Sequence, residues 1–385
     1  MTHGPDPLAR FRTAAVAREA AGLRRVLRAR ASDDDLVDLA SNDYLGLARN
    51  RRLAEAASAA AFEWGTGATG SRLVTGSTAL HARLEERLAA FAGAEGALVF
   101  SSGYLANLAA VTALGRDALV VSDAGNHASI VDACRLSRSP VTVTPHRDVT
   151  AVEKALADRD TEHAIVVTDA LFSVDGDLAP LAELHAAAVR QGALLVVDEA
   201  HSLGVLGFGG RGAAHAAGLA GERTLVRTVT LSKSLGSQGG AVLGAPEVIE
   251  TLINTGRSFI FDTALAPGSV AAALAALDIL HNQPELPGHV LTRAKELASL
   301  ARDLGLETND PAGAVVPIVL GQPETALRAA VICAEHGVRV GCFRPPSVPA
   351  GRSCLRLTAR ANLSSDDLAV IKGALTAVAE MKVTM

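Results

Sequence analysis

Across 385 residues there are only four cysteines, two tyrosines and one tryptophan, and aromatic side chains make up 3% of the chain. The cysteines (Cys134, Cys333, Cys342, Cys354) show no C-x-x-C spacing and no nearby histidine pair. That points away from a zinc site and toward small buried hydrophobes or plain surface thiols. No apolar run approaches the roughly 18–20 residues that span a bilayer, so no membrane segment is expected. A net charge of −5 implies no general attraction to nucleic acid or anionic lipid. The N-terminus has no apolar centre of the kind a signal peptide carries. Its arginines (Arg10, Arg12, Arg18, Arg24, Arg25, Arg28) would suit a transit peptide, but Asp6, Glu19 and Asp33–Asp35 argue against one. A cytoplasmic protein is the expectation.

Hydrophobic residues make up 49%, mostly alanine, valine and leucine, which is ample for a large core. The length exceeds one typical domain. Residues 8–30 read as an amphipathic helix with Leu8, Phe11, Ala15, Leu23 and Leu27 as its apolar stripe. A short strand at Asp38 breaks into a polar turn, a helix follows at 51–64, and then a glycine loop at 65–72. From there apolar strand candidates at 96–100, 118–122, 140–144, 164–168, 193–198, 224–230 and 240–244 alternate with helical patterns at 78–92, 104–114, 126–136, 149–157 and 179–191. Such alternation predicts an α/β fold with a mostly parallel sheet covered on both faces. Residues 245–282 read as largely helical. The Pro/Gly-rich stretch 283–288 marks a boundary, beyond which helices at 289–304 and 324–337 flank strands at 314–320 and 353–358. The expected division is an N-terminal arm (1–45), a large α/β domain (46–283) and a smaller α+β C-terminal domain (284–385).

Two segments carry the chemistry. Val196-Val197-Asp198-Glu199-Ala200-His201 is an apolar run ending in an acid and a histidine. A second run ends in Thr230-Leu231-Ser232-Lys233. In an α/β protein two such strand ends can meet at the carboxyl edge of the sheet, gathering a carboxylate, an imidazole and an amine. Pyridoxal phosphate needs that set, with a lysine for its Schiff base and an acid facing the pyridine nitrogen. Taken alone, Asp198 could equally cap a helix or bind a metal or nucleotide, and Lys233 could bind phosphate or face solvent. No third ligand at sensible spacing joins Asp198, Glu199 and His201, so no metal is expected. The G-x-G-x-x-G at 65–70 follows a helix rather than a strand, which fails the context of a dinucleotide fingerprint.

Further motifs fall in order: S-N-D-Y-L-G-L at 41–47, G-x-G-x-x-G-S-R at 65–72, S-G-Y at 102–104, N-H-A-S at 126–129, F-S-V-D-G-D at 172–177, V-D-E-A-H at 197–201, T-L-S-K at 230–233 and R-P-P-S-V-P-A-G at 344–351. With these, residues 20 to 365 resemble the α-oxoamine synthases, acyltransferases among the fold-type-I pyridoxal-phosphate enzymes. Tyr104, the serines flanking Lys233, and Ser347 depart mildly from the commonest family pattern. The resemblance implies a seven-stranded large domain, a small C-terminal domain and a homodimer with shared active sites.

It also implies roles. Lys233 would carry pyridoxal 5'-phosphate and later act as base; Asp198 would face the ring nitrogen; His201, with Ser173 nearby, would meet the ring hydroxyl; His127 would stack on the ring. Ser102, Gly103, Tyr104 and Thr230 would hold the phosphate, with Thr263 supplied by the neighbouring subunit. Arg356 would pair with an amino-acid carboxylate, helped by Asn42; Arg24 would line the acyl-substrate entrance, and Ser347 would bind substrate. On local sequence alone His127 reads equally as a helix start, residues 102–104 as a routine strand–helix turn, and Arg24 as one solvent-facing arginine among many. The R-P-P start at 344 leans toward the branch that condenses L-alanine with a pimeloyl thioester, borne by coenzyme A or an acyl carrier protein. Branches using glycine or serine are the alternatives. A silent dimerisation scaffold, an alternative of another class, would lack the lysine, whereas Lys233, Asp198 and His127 are all present.

Overall fold

The computed structural model describes residues 6–27 and 29–383; Arg28 of the expected first helix and the outermost ends of the two terminal segments lie outside the described residues. The strands in chain order are β1 (Val37–Leu39), β2 (Gly96–Phe100), β3 (Ala118–Asp123), β4 (Val141–Thr144), β5 (His163–Asp169), β6 (Leu194–Asp198), β7 (Leu225–Thr230), β8 (Gly240–Gly244), β9 (Val315–Gly321), β10 (Val338–Phe343) and β11 (Ser353–Thr358). Seven form one sheet in the order β2-β8-β7-β6-β5-β3-β4, and four form a second in the order β1-β10-β11-β9. In the large sheet only β8 runs against its neighbours. The expected seven-stranded, mostly parallel α/β architecture is therefore present.

Near-continuous apolar runs make these strands two-faced. In β6, Leu195 and Val197 pack into the cluster under the helices Val149–Ala157 and Leu181–Arg190. Val196, one residue on, points into the opposite cluster with the helices Gly103–Leu114, Ala128–Ser137 and Pro246–Thr255. Burying each such side chain contributes about 1.5–3 kcal/mol, so the strand ends are rigidly placed. The crossover leaving β3 runs outward to β4, whereas the one leaving the adjacent β5 runs the other way to β6. A crevice opens at such a switch point, at the carboxyl ends of the strands.

The second sheet joins distant parts of the chain. β1 pairs in parallel with β10, which pairs antiparallel with β11. One continuous apolar cluster contains Leu39 and Leu45, Leu231 and Leu235 of the large sheet's edge, and Val316, Leu355 and Ile371 of the C-terminal part.

The N-terminal helix differs from expectation. It covers Ala9–Ala20 instead of 8–30 and buries none of its residues; Leu8 and Phe11 are about half exposed and Leu27 fully so. The stop is Gly22 at φ +64°, which lets the Leu23 amide reach back to the Arg18 carbonyl at 2.8 Å and close the helix as a left-handed cap. The strand β10 and the final helix Ser365–Val383 carry no signal in the reading above. A glycine at 341 interrupts the strand pattern of β10.

Candidate active site

Aspartates end three adjacent parallel strands: Asp123 on β3, Asp169 on β5 and Asp198 on β6, with Asp169 and Asp198 opposite each other in register. After Thr230 the chain turns tightly, the Leu231 amide bonding to the Gly239 carbonyl and Ser237 to the Leu231 carbonyl. That turn directs Lys233 back over the strand ends. Its Nζ lies 2.8 Å from Nε2 of His201. Burial lowers the Lys233 amine to about 8, with the charges of Asp198 and Asp169 acting the other way. An amine so desolvated is a competent nucleophile and base near neutral pH.

Asp198 is buried and doubly held. Asn107 Nδ2 donates to its Oδ2 at 2.6 Å and the Ala200 amide to its Oδ1 at 2.8 Å. Asn107 is in turn fixed by the Thr228 hydroxyl at 2.5 Å and by Ser129 at 2.8 Å. His127 begins the helix Ala128–Ser137, its Nδ1 accepting from the Ser129 amide at 3.2 Å. Burial lowers its pKa and Lys233 adds to this, while Asp198 pulls the other way. Asp169 is driven well above the usual carboxylate range by burial and then by the Asp198 charge. Its carboxylate meets the His127 amide at 3.3 Å.

A buried line of hydrogen bonds leads from the amine to a guanidinium. His201 Nδ1 is 2.5 Å from the Tyr44 hydroxyl, which lies 3.2 Å from Asn42 Oδ1, and Arg356 Nη2 donates to the same Asn42 oxygen at 2.8 Å. Burial and the charges of Lys233 and Arg356 hold His201 well below its ordinary pKa, so its ring is neutral. With Lys233 charged, Nε2 accepts, Nδ1–H donates to Tyr44, and Tyr44 donates to Asn42. Arg356 also donates to the Ser173 carbonyl at 2.9 Å and lies 4.6 Å over the Phe343 ring. Its Nε is buried without a partner, a donor left for a ligand.

The helix Gly103–Leu114 offers a candidate anion site. Ser102 caps it through the Leu105 amide, and the Gly103 and Tyr104 amides have no acceptor among the described residues. Two glycines permit the close packing here. A Cβ on Gly240 would sit 2.5 Å from the Gly103 nitrogen, and one on Gly103 would sit 3.1 Å from Thr230 Cβ. Free amides at a helix start, backed by the helix dipole and beside the Thr230 hydroxyl, suit a phosphate.

Lys233, Asp198, His201, His127, Asn42, Arg356 and the Ser173 carbonyl thus converge, with Gly103, Tyr104 (through its amide) and Thr230 at one edge. The Tyr104 side chain turns outward to Asp132 at 2.6 Å. Beside Ser173 opens a cavity of about 530 Å³ whose walls include Ser347, Phe172 and Arg352. Arg24 is not brought in; it pairs with Glu19 at the surface, and its neighbour Arg25 reaches the Ser347 hydroxyl at 3.3 Å instead. Thr263 lies beside Ser101 in a narrow crevice with Arg72 and Asp262, next to the glycine loop, whose Gly70 carbonyl accepts from Ala264. Tyr44, Asn107 and Asp169 were not singled out in the sequence. The available signals were a tyrosine in a chain with only two and an asparagine inside an otherwise apolar helix. Among the described residues no group of three or more His, Cys, Asp or Glu could hold a metal, and no helix is long and apolar enough to cross a membrane.

These residues fit pyridoxal phosphate: a desolvated amine, a buried carboxylate beside it, a flanking imidazole and unpartnered amides at a helix start. The known proteins agree. The family model described as aminotransferase class I and II matches residues 34–375. The 8-amino-7-oxononanoate synthase of Mycobacterium sp. (strain KMS) is 60% identical over 366 residues, 95% of each chain. That of Mycolicibacterium smegmatis is 57% identical over 376 residues, 97% of each. Among solved structures, a serine palmitoyltransferase from S. paucimobilis with a bound PLP–myriocin aldimine superposes with a TM-score of 0.91 at 29% identity, over 99% of this chain and 100% of that one. An 8-amino-7-oxononanoate synthase from Francisella tularensis gives 0.77 at 28% identity, over 91% and 99%. By sequence and by shape alike, the chain belongs to the class I and II aminotransferase family of pyridoxal-phosphate enzymes and, within it, to the 8-amino-7-oxononanoate synthases.

Proposed function

We propose that this chain is an acyltransferase joining L-alanine to a pimeloyl thioester, on coenzyme A or a carrier protein. The products are 8-amino-7-oxononanoate, carbon dioxide and free thiol, a step of biotin biosynthesis. The observation that carries the reading is the buried line from Lys233 to Arg356. It sets an amine and a carboxylate-binding guanidinium at two ends of one network, as an α-amino acid requires. The named relatives at 57–60% identity favour alanine over serine, whereas the serine enzymes of similar shape share only 29–30%.

The residues then divide the work. Arg356, braced by Asn42 and the Ser173 carbonyl, takes the alanine carboxylate; guanidinium suits a carboxylate in two-point geometry. Lys233 holds the cofactor and, once released, removes the α-proton at its Nζ. The chemistry that the cofactor would supply there is an electron sink for the pair left at the α-carbon when the proton or the carboxylate departs. Asp198 would stabilise positive charge on the ring nitrogen, and His127 and His201 would help to hold the ring. The Gly103 and Tyr104 amides and the Thr230 hydroxyl hold the phosphate. Thr263 serves the site of a second copy in a homodimer. Ser347, at the cavity wall, borders the acyl chain, and Arg24 remains a candidate for its entrance. A cytoplasmic location belongs to the same proposal.

Purified holoenzyme tested with alanine, glycine and serine across a thioester series discriminates the substrates. Alanine with the pimeloyl thioester should give the highest kcat/KM. Glycine with acetyl-coenzyme A outcompeting it would overturn the assignment in favour of a 2-amino-3-ketobutyrate ligase. Tyr44→Phe tests the network itself. Removing the hydroxyl leaves His201 Nδ1 unpartnered in a buried site, at a cost of about 1–3 kcal/mol. Chemical denaturation reads this directly; an unchanged midpoint and slope would show that the hydrogen bond contributes nothing.

A further inference from the structure

The loop 172–177 is pinned from two sides, and only one of them belongs to the site described above. On one side its Ser173 carbonyl accepts from Arg356, and its Asp175 takes Arg352 at 3.2 Å. On the other stands His146, just past β4. Its Nδ1 lies 2.9 Å from Asp123 Oδ1 and its Nε2 2.8 Å from Asp177 Oδ2. The ring stands edge-on to Phe172 at 4.3 Å between centroids. Asp123 is already the acceptor for the Gly125 and Arg147 amides at 2.6 and 2.7 Å, so it offers His146 a fully anchored carboxylate. Within the loop, the Phe172 amide bonds to the Asp177 carbonyl and the Gly176 amide to the Phe172 carbonyl. Holding Asp177 therefore holds the whole turn that carries Ser173.

The geometry points to His146 as a positioning residue for the amino-acid carboxylate: clamped between Asp123 and Asp177, it fixes the loop whose Ser173 carbonyl fixes the Arg356 guanidinium. This rests on the reading that Arg356 takes that carboxylate. A histidine bridging two carboxylates can donate to both only as imidazolium, so the clamp is complete only while His146 is charged.

The groups facing His146 are Asp123, Asp177 and, on the same Asp177 oxygen at 3.2 Å, Arg147; Arg352, Asp175 and Cys354 share its cavity. Burial opposes the imidazolium, but the bonds and charges of Asp123 and Asp177 outweigh it and leave its pKa raised. For a raised histidine the charged form, and with it the clamp, is present below that pKa and is lost as pH rises through it.

The test titrates holoenzyme with L-alanine and with ethylamine, which shares the amine but lacks the carboxylate, following the visible absorbance change. His146→Gln should weaken L-alanine about tenfold and leave ethylamine within twofold, with kcat for alanine falling far less than KM rises. In the unmodified protein the ratio of alanine to ethylamine affinity should fall as pH rises through the His146 titration, and in His146→Gln that ratio should stay flat. Equal weakening of both amines, unchanged alanine affinity, or parallel pH dependence in both proteins would overturn the inference. Arg356→Ala separates this failure from a failure of the underlying reading. Unchanged alanine affinity in that variant would overturn both, whereas alanine weakened in Arg356→Ala but not in His146→Gln would overturn only the role of His146.

Discussion

Lys233→Ala should lower turnover about 10⁴-fold, the top of the range for a positioned acid–base group. The basis is the environment of one amine. Burial brings Lys233 to about 8 against an ordinary 10.5, so at pH 7.5 roughly a quarter of it is neutral, against about a thousandth for a solvated lysine. No other amine is positioned to substitute, because the remaining lysines are only Lys154, Lys295, Lys372 and Lys382 and none belongs to the cluster. Competitive acylation of cofactor-free protein across pH, read by mass spectrometry, should give Lys233 a midpoint near 8. Turnover within tenfold of the unmodified protein in Lys233→Ala, or a Lys233 midpoint above 10, would contradict this account.

Asp198→Asn should cost roughly 10²–10³ in kcat, comparable to removing one preorganised charge-stabilising group. The substitution keeps size but not function. Asn107 and the Ala200 amide both donate to the carboxylate, and an amide has only one oxygen to answer them. One donor pair is left unsatisfied, at about 1–3 kcal/mol. The charge effect has its own readout. Asp198 raises the Lys233 pKa, so in the variant the cofactor-free amine should titrate below 8. Asp169 partly offsets this: burial and the Asp198 charge hold its carboxyl well above the usual range, and losing that charge relieves part of the rise. An unchanged Lys233 midpoint together with near-normal kcat would show that Asp198 does not face the reacting centre.

The large sheet was legible because its strands are short apolar runs separated by helical periodicity. Residues 96–100 and 240–244 form strands with the expected bounds, since glycine or a polar turn closes each. Lys233, His201 and Asp198 stood out because an acid, a histidine and a lysine ended apolar runs, and strand ends in such a sheet share one edge; His127 came only from the order of motifs that carries the resemblance. Long-range contacts were not legible in this way. Tyr44 reaches His201 across 157 residues, and no periodicity encodes that approach. Asn107 lies within an apolar helix, where its amide serves Asp198 instead of the helix surface. Arg24 illustrates the same limit at the surface. One position decides whether an arginine near the chain start meets Glu19 or Ser347, and local pattern does not resolve a single residue of register.

The most direct measurement is to reduce the holoenzyme with borohydride, digest it and map the cofactor mass to a peptide. The account predicts a single modified residue, Lys233, with no label in Lys233→Ala. Label on Lys154, Lys295, Lys372 or Lys382, or a fully active protein carrying no label, would contradict it.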